Sequence, residues 1–144
     1  MATEDLAKEV ILDHYRRPRN RRALDASTAT ASRTNPTCGD VVTLQLLERD
    51  GRVEAVAFDG HGCSISQSSA SMMTEAVTGR DRAAIGRLEV AVRAMLAGED
   101  PPADAGDLGD LEALAGVARY PVRIRCALLA WDVLDEALGA GPVR

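Results

Sequence analysis

Aromatic residues are almost missing from this chain: one Phe, one Trp and two Tyr, 3% of 144 residues. Ala, Val, Leu and Ile must therefore fill the core, and apolar residues still make up 46% of the whole, an ordinary globular share. No apolar run approaches the roughly 20 residues needed to span a bilayer, so no membrane partner is expected. Met1 to Asp5 lack the basic and apolar regions of a signal peptide, which points to a soluble, cytoplasmic protein. An excess of base is missing too. Net charge is −5, which argues against nucleic acid held through a basic face. Cysteine is limited to three residues with no Cys-x-x-Cys pair. That argues against a zinc finger and, in a reducing compartment, against a disulfide staple.

What the chain does hold is three scattered thiols, Cys38, Cys63 and Cys126, the first within Asn35-Pro36-Thr37-Cys38-Gly39-Asp40. Three thiolates and the Asp40 carboxylate form a complete tetrahedral ligand set for zinc. If the fold gathers them, the protein handles metal or sulfur. Charge is unevenly spread. Arg16, Arg17, Arg19, Arg21 and Arg22 form a basic patch, and Glu99, Asp100, Asp104, Asp107, Asp110 and Glu112 an acidic stretch. Both read as solvated faces, or the basic patch as a dock for an acidic protein surface.

The length fits one domain, residues 1–144. Leu6, Val10, Ile11 and Tyr15 recur at helical spacing, so residues 4–17 read as an amphipathic helix stopped by Pro18. Residues 19–37 are polar and turn-rich and read as an irregular arm. Val41 to Glu48 is β-rich, Asp50-Gly51 is a hairpin signal, and Val53 to Phe58 reads as the returning strand. Antiparallel pairing then brings Cys38, Asp40 and Cys63 to one edge. Ser64 or Ser66 can cap a helix to about Thr78, with Gly79 as its stop. Asp81 begins another helix to about Ala97, and Gly98 to Gly109 is a loop. A short helix near Leu111 to Ala118 precedes a last helix from Pro121 through Leu138.

Each thiol has a bland alternative, since a lone buried cysteine is commonly a small core hydrophobe. Cys38 lies in a tight turn between Pro36 and Gly39, outside any periodic apolar pattern, which favours function. Cys63 follows Gly60 and Gly62 and precedes a helix, whose positive end favours thiolate. On the last helix Ile124, Ala127, Leu128, Trp131, Leu134 and Leu138 form one stripe, and Cys126 points away from it. Asp40 could cap the turn instead. Arg123 and Arg125 could offset the surplus negative charge of four anionic ligands, or be merely solvated. His61 reads as a turn residue, or else as a ligand or general base. His14 reads as a surface or docking residue.

Four blocks together resemble the IscU/NifU-like iron–sulfur scaffold superfamily: Ile11 to Asn20, Asn35 to Asp40, Gly62 to Ser71, and Arg119 to Cys126. They run in order across residues 5–138. Within the superfamily the chain is similar to the SufU branch. The position before the third cysteine, a histidine ligand in IscU proteins, is Arg125 here, and residues 80–118 look like the SufU insertion. The resemblance implies an α+β fold of the SufE/IscU kind. A small antiparallel sheet, the hairpin of about 41–58 plus an edge strand, is covered by helices, with a helical insertion over about 80–118. It also implies a zinc-dependent sulfurtransferase, with Zn²⁺ held by Cys38, Asp40, Cys63 and Cys126 and Arg123 and Arg125 in support. Its partner would be a SufS-type cysteine desulfurase, a histidine of which takes a zinc position and frees Cys38. Cys38 then accepts persulfide sulfur for downstream iron–sulfur assembly proteins. The alternative is a scaffold that builds a transient [2Fe–2S] cluster, or holds iron, on the same four residues.

Overall fold

The computed structural model describes residues 4–139. Helix α1 (Glu4–Arg16) is followed by an arm and then by strands β1 (Ala29–Thr34), β2 (Val41–Arg49) and β3 (Arg52–His61). The strands form one antiparallel sheet in the order β1-β2-β3. Asp50 and Gly51, at φ 55 and 77, make the two-residue turn between β2 and β3. Both sit in the left-handed region that matches the twist of paired strands. The register pairs Arg49 with Arg52 and, past a bulge at Leu47 and Glu48, Val41 with His61. The residues before Val41 and after His61 therefore leave the sheet side by side.

β2 alternates, with Val42, Leu44 and Leu46 buried and Val41, Thr43 and Gln45 half-buried. Its inner face meets Phe58 and Val56 of β3 and the helices α2 (Ser64–Val77) and α4 (Pro121–Ala137), and α3 (Arg82–Leu96) adds to the same core. With so few aromatics, only Trp131 and Phe58 supply large rings to a core otherwise built of Leu, Val, Ala, Met and Ile85. α2 lies at the centre and is buried from Ser66 to Thr74. Small hydroxyl residues let the neighbouring helices approach and satisfy themselves on backbone: Ser69 Oγ donates to Ala127 O of α4 at 2.7 Å.

The α+β expectation, hairpin included, holds. Within the arm read as irregular, residues 29–34 are strand. They are polar and largely exposed because β1 is an edge paired only with β2, so no apolar alternation marks it. The helix expected near Leu111 is a 3-10 helix, Gly109–Arg119. Its large buried residues Leu111, Leu114 and Val117 recur every third position, the 3-10 period rather than the α one, with the small Ala113 buried between them.

Candidate metal centre

The two chain ends released by the hairpin build the site. After β1, Asn35 begins a turn closed twice by backbone: Gly39 N donates to Asn35 O at 2.7 Å and Asn35 N to Asp40 O at 2.8 Å. Gly39 takes φ +74 with open space around it, so Cys38 stands out of the turn and is exposed. After β3, Cys63 is the N-cap of α2, its Sγ accepting from Ser66 N at 3.5 Å. Cys126 lies on the second turn of α4, with no exposed surface.

Asp40, 2% exposed, is the hub. Cys38 Sγ donates to its Oδ2 at 2.9 Å, Cys63 Sγ to the same oxygen at 3.7 Å, and Cys63 N to its Oδ1 at 2.9 Å. Cys38 Sγ lies 3.5 Å from Cys126 Sγ. Gly62 makes room for this hub, since a Cβ there would stand 2.3 Å from Asp40 Oδ1. Burial pushes the Asp40 carboxyl up, but hydrogen bonds from Cys38, the Cys63 amide, Cys126 and the Cys63 thiol outweigh it and hold the pKa below the ordinary 3.8. Burial, joined by hydrogen bonding to Asp40 and Cys38, pushes the Cys126 thiol well up.

One ligand atom each from Cys38, Asp40 and Cys126 falls within 4.8 Å of the others, a group that can hold a metal ion. Tetrahedral zinc, with Zn–S bonds of about 2.3 Å, sets its sulfurs about 3.8 Å apart, close to the observed thiol pair. Thiol and carboxylate donors, one of each already in contact, fit a borderline-soft divalent cation. Cys63 meets the group through Asp40 while capping α2.

Arg123 lies against the thiols. The charge of Cys63 and a hydrogen bond to it, with lesser help from Cys126, raise its pKa above the ordinary arginine value. Arg125 is exposed and lines a neighbouring groove with Arg33, Asn35 and Pro36. His61 ends β3 opposite Val41, exposed and outside the group around Asp40.

Cys126, read as pointing away from the apolar stripe, lies outside the apolar cluster and turns toward Asn35 and Cys38, although it is fully buried. Its helix is covered on more than one face. One expectation changes. His14 is no surface residue: it is wholly buried, its Nδ1 2.7 Å from Ser71 Oγ and its Nε2 2.7 Å from Asp110 Oδ2. It ties α1 and α2 to the acidic stretch. The basic patch is largely paired within the chain, Arg17 and Arg19 with Asp13 and Arg21 with Asp59. Asn35 is the contributor that sequence reasoning passed over. Its signal was there, an Asn two residues before a backbone N–H in a Pro-containing turn.

No helix among the described residues is long and apolar enough to cross a membrane. Residues 6–127 match the NifU-like N terminal domain model. The chain is 42% identical to the zinc-dependent sulfurtransferase SufU of Bacillus subtilis, over 94% of this chain and 90% of that protein. It is 43% identical to the iron–sulfur cluster assembly scaffold protein IscU of Streptococcus pyogenes, over 90% of this chain and 80% of that one. Among solved structures, a candidate iron–sulfur cluster assembly scaffold protein for the SUF system of Fervidobacterium islandicum superposes with a TM-score of 0.83 at 30% identity. That match covers 90% of this chain and 94% of the other. Sheet, thiol turn and sequence agree: the chain belongs to the NifU-like N-terminal domain family, within the superfamily of iron–sulfur cluster assembly proteins that includes IscU and SufU.

Proposed function

We propose that this protein is a zinc-dependent sulfurtransferase of iron–sulfur cluster assembly that works in the cytoplasm. Zn²⁺ is held by Cys38, Asp40, Cys63 and Cys126, and a SufS-type cysteine desulfurase is the sulfur donor. The observation that carries the reading is the inequality of two adjacent thiols on one carboxylate: Cys38 exposed, Cys126 buried, 3.5 Å apart. One thiol can meet a partner while the other stays with the protein.

The donor carries sulfur as a cysteine persulfide. The Cys38 thiolate attacks its outer sulfur, a new S–S bond forms at Cys38, and the old one breaks to release the desulfurase cysteine as thiolate. One S–S bond is exchanged for another, so no oxidant or reductant is needed. A second exchange hands the sulfur to a downstream assembly protein. Bound zinc would supply the positive charge that keeps thiols deprotonated at neutral pH while lowering their nucleophilicity. In the metal-free chain, thiol and amide donors facing Asp40 hold it ionised and ready for a cation. Arg123 beside Cys63 and Cys126 offsets the surplus negative charge of four anionic ligands, and exposed Arg125, which precedes Cys126 in the chain, adds positive charge in the neighbouring groove.

Peptide mass spectrometry after incubation with desulfurase and cysteine tests the proposal. One added sulfur on the Cys38 peptide, from colourless protein carrying one zinc, is the expected result. Brown protein that keeps stoichiometric iron and sulfide through purification would overturn it in favour of a [2Fe–2S] scaffold.

A further inference from the structure

We infer that Asn35 is a positioning residue that makes the two adjacent thiols unequal: its amide N–H group holds the Cys126 sulfur while its carbonyl oxygen shapes the turn that presents Cys38. The inference rests on the sulfurtransferase reading above and adds a residue to it.

Asn35 is 6% exposed and follows β1 directly. It precedes Pro36, which keeps its own backbone extended, in line with the strand. All its polar groups are engaged. The backbone N–H and C=O close the turn on Asp40 and Gly39. The side-chain Oδ1 accepts from Thr37 N at 3.1 Å, and Nδ2 donates to Cys126 Sγ at 3.9 Å. Thr37 N can only donate, so the amide orientation is fixed: the oxygen faces the turn and the NH₂ group faces the sulfur. The amide cannot flip without losing both contacts.

The two sulfurs thus differ in kind. Cys126 receives an N–H donor and is enclosed. Cys38 is exposed and, among the described residues, its sulfur meets Asp40 Oδ2 and the Cys126 sulfur, with no amide donor facing it. A donor on a thiolate draws off charge and fixes the sulfur in place, as partners beyond the ligands do in other metal sites. Cys126 becomes the sulfur that stays, and Cys38 the one that leaves and reacts.

Asn35→Asp separates this role from plain turn capping, because it keeps the oxygen that accepts from Thr37 N but replaces the donor facing Cys126. Asn35→Ala removes both. Three readouts decide: zinc affinity by competition with a chromophoric chelator, iodoacetamide labelling of Cys38 against Cys126 in the metal-free chain, and the thermal midpoint. Asn35→Asp is expected to melt close to the parent, bind zinc about 10- to 100-fold more weakly, and label Cys126 less than the parent does, because a carboxylate facing the sulfur disfavours its thiolate. Asn35→Ala is expected to show the same losses together with a lower midpoint. If Asn35→Asp folds poorly, Asn35→Ser, which keeps a small capping oxygen, takes its place. Parent-like affinity and labelling in the aspartate variant would overturn the inference while leaving the sulfurtransferase reading intact. Failure of the parent itself to bind zinc would instead sink that reading, and the labelling ratio would still decide the role of Asn35.

Discussion

Toward the N-terminal end of α4, Asp40 lies beneath three thiols; farther along the same helix, Glu89 of α3 lies beside Asp132 and Asp135. Burial disfavours the ionised form of both carboxyls, yet they end in opposite states. At Asp40 hydrogen bonds from Cys38, the Cys63 amide, Cys126 and the Cys63 thiol overcome burial and hold the pKa below its ordinary value. At Glu89 burial acts first, and the hydrogen bond and charge of Asp135 add to it, pushing the pKa up to about 9. Arg93 opposes this, but its Nη2 bonds Asp132 at 3.0 Å and Asp135 at 3.2 Å, so much of its charge is already matched. The neighbours, donors in one place and a second acid in the other, decide which carboxyl stays charged. One is suited to a cation, the other to a shared proton.

The comparison is broken most severely at Asp40 itself. Asp40→Ala removes the group through which Cys63 joins the other thiols, and strands the Cys63 N–H. Zinc affinity is expected to fall by more than about 100-fold, the upper end seen for loss of a partner beyond the ligands. Chelator competition measures it. Asp40→Asn, which still accepts from Cys63 N, shows how much of the loss is charge. The next effect is at Gly62, where φ is +149 and a Cβ would strike Asp40 Oδ1, Cγ and Cβ. Gly62→Ala is expected to cost about 2–4 kcal/mol in denaturant unfolding, from backbone strain and overpacking. A cost below about 1 kcal/mol would mean that Asp40 can swing aside and that its position is not fixed by packing.

These two ends were not equally legible in the sequence. The thiol end was readable because local chemistry set it. Asp50-Gly51 fixed the hairpin, the hairpin fixed the register, and the register placed the turn of Asp40 beside Cys63. Asn35 could be seen in its motif, but not its reach to Cys126, which lies 91 positions away. The Glu89 end could not be read. Glu89 sits on an amphipathic helix where a charged residue normally faces water, and only the packing of α3 on α4 brings Asp135 against it. His14 was misjudged for the same reason: its partners Ser71 and Asp110 come from distant elements. Edge strand β1 and the 3-10 helix were hidden by weak patterns, one polar and one with a period of three.

Glu89→Gln sharpens the contrast in the stabilising direction. The folded pKa of about 9 lies above the ordinary 4.5. Between those values the folded chain holds a proton that the unfolded chain has released, so stability falls as pH rises through that window. One proton sets an upper slope of about 1.4 kcal/mol per pH unit. Partial exposure and screening reduce it. Glutamine keeps the hydrogen bond to Asp135 without titrating and is expected to gain about 1 kcal/mol near pH 8. Urea midpoints taken from pH 5 to 9 should decline in the parent and flatten in the variant. A parent with no decline would mean that the two acids do not share a proton.

The smallest effect belongs to a third carboxylate near α4, Glu136, whose Oε1 receives Arg33 Nε and Nη2 at 3.2 Å. Both side chains are close to half exposed, 47% and 45%. Water solvates each partner almost as well as the other does, and ordering two long side chains costs entropy. Arg33→Ala is therefore expected to cost less than about 0.5 kcal/mol in urea unfolding, with the difference vanishing in high salt. If neighbours matter only where burial has removed water, Glu136 must be indifferent to losing its partner while Asp40 and Glu89 are not. A loss above about 1 kcal/mol at Arg33 would show that pairing can act without burial, and the contrast between the two ends of α4 would then need a cause other than desolvation.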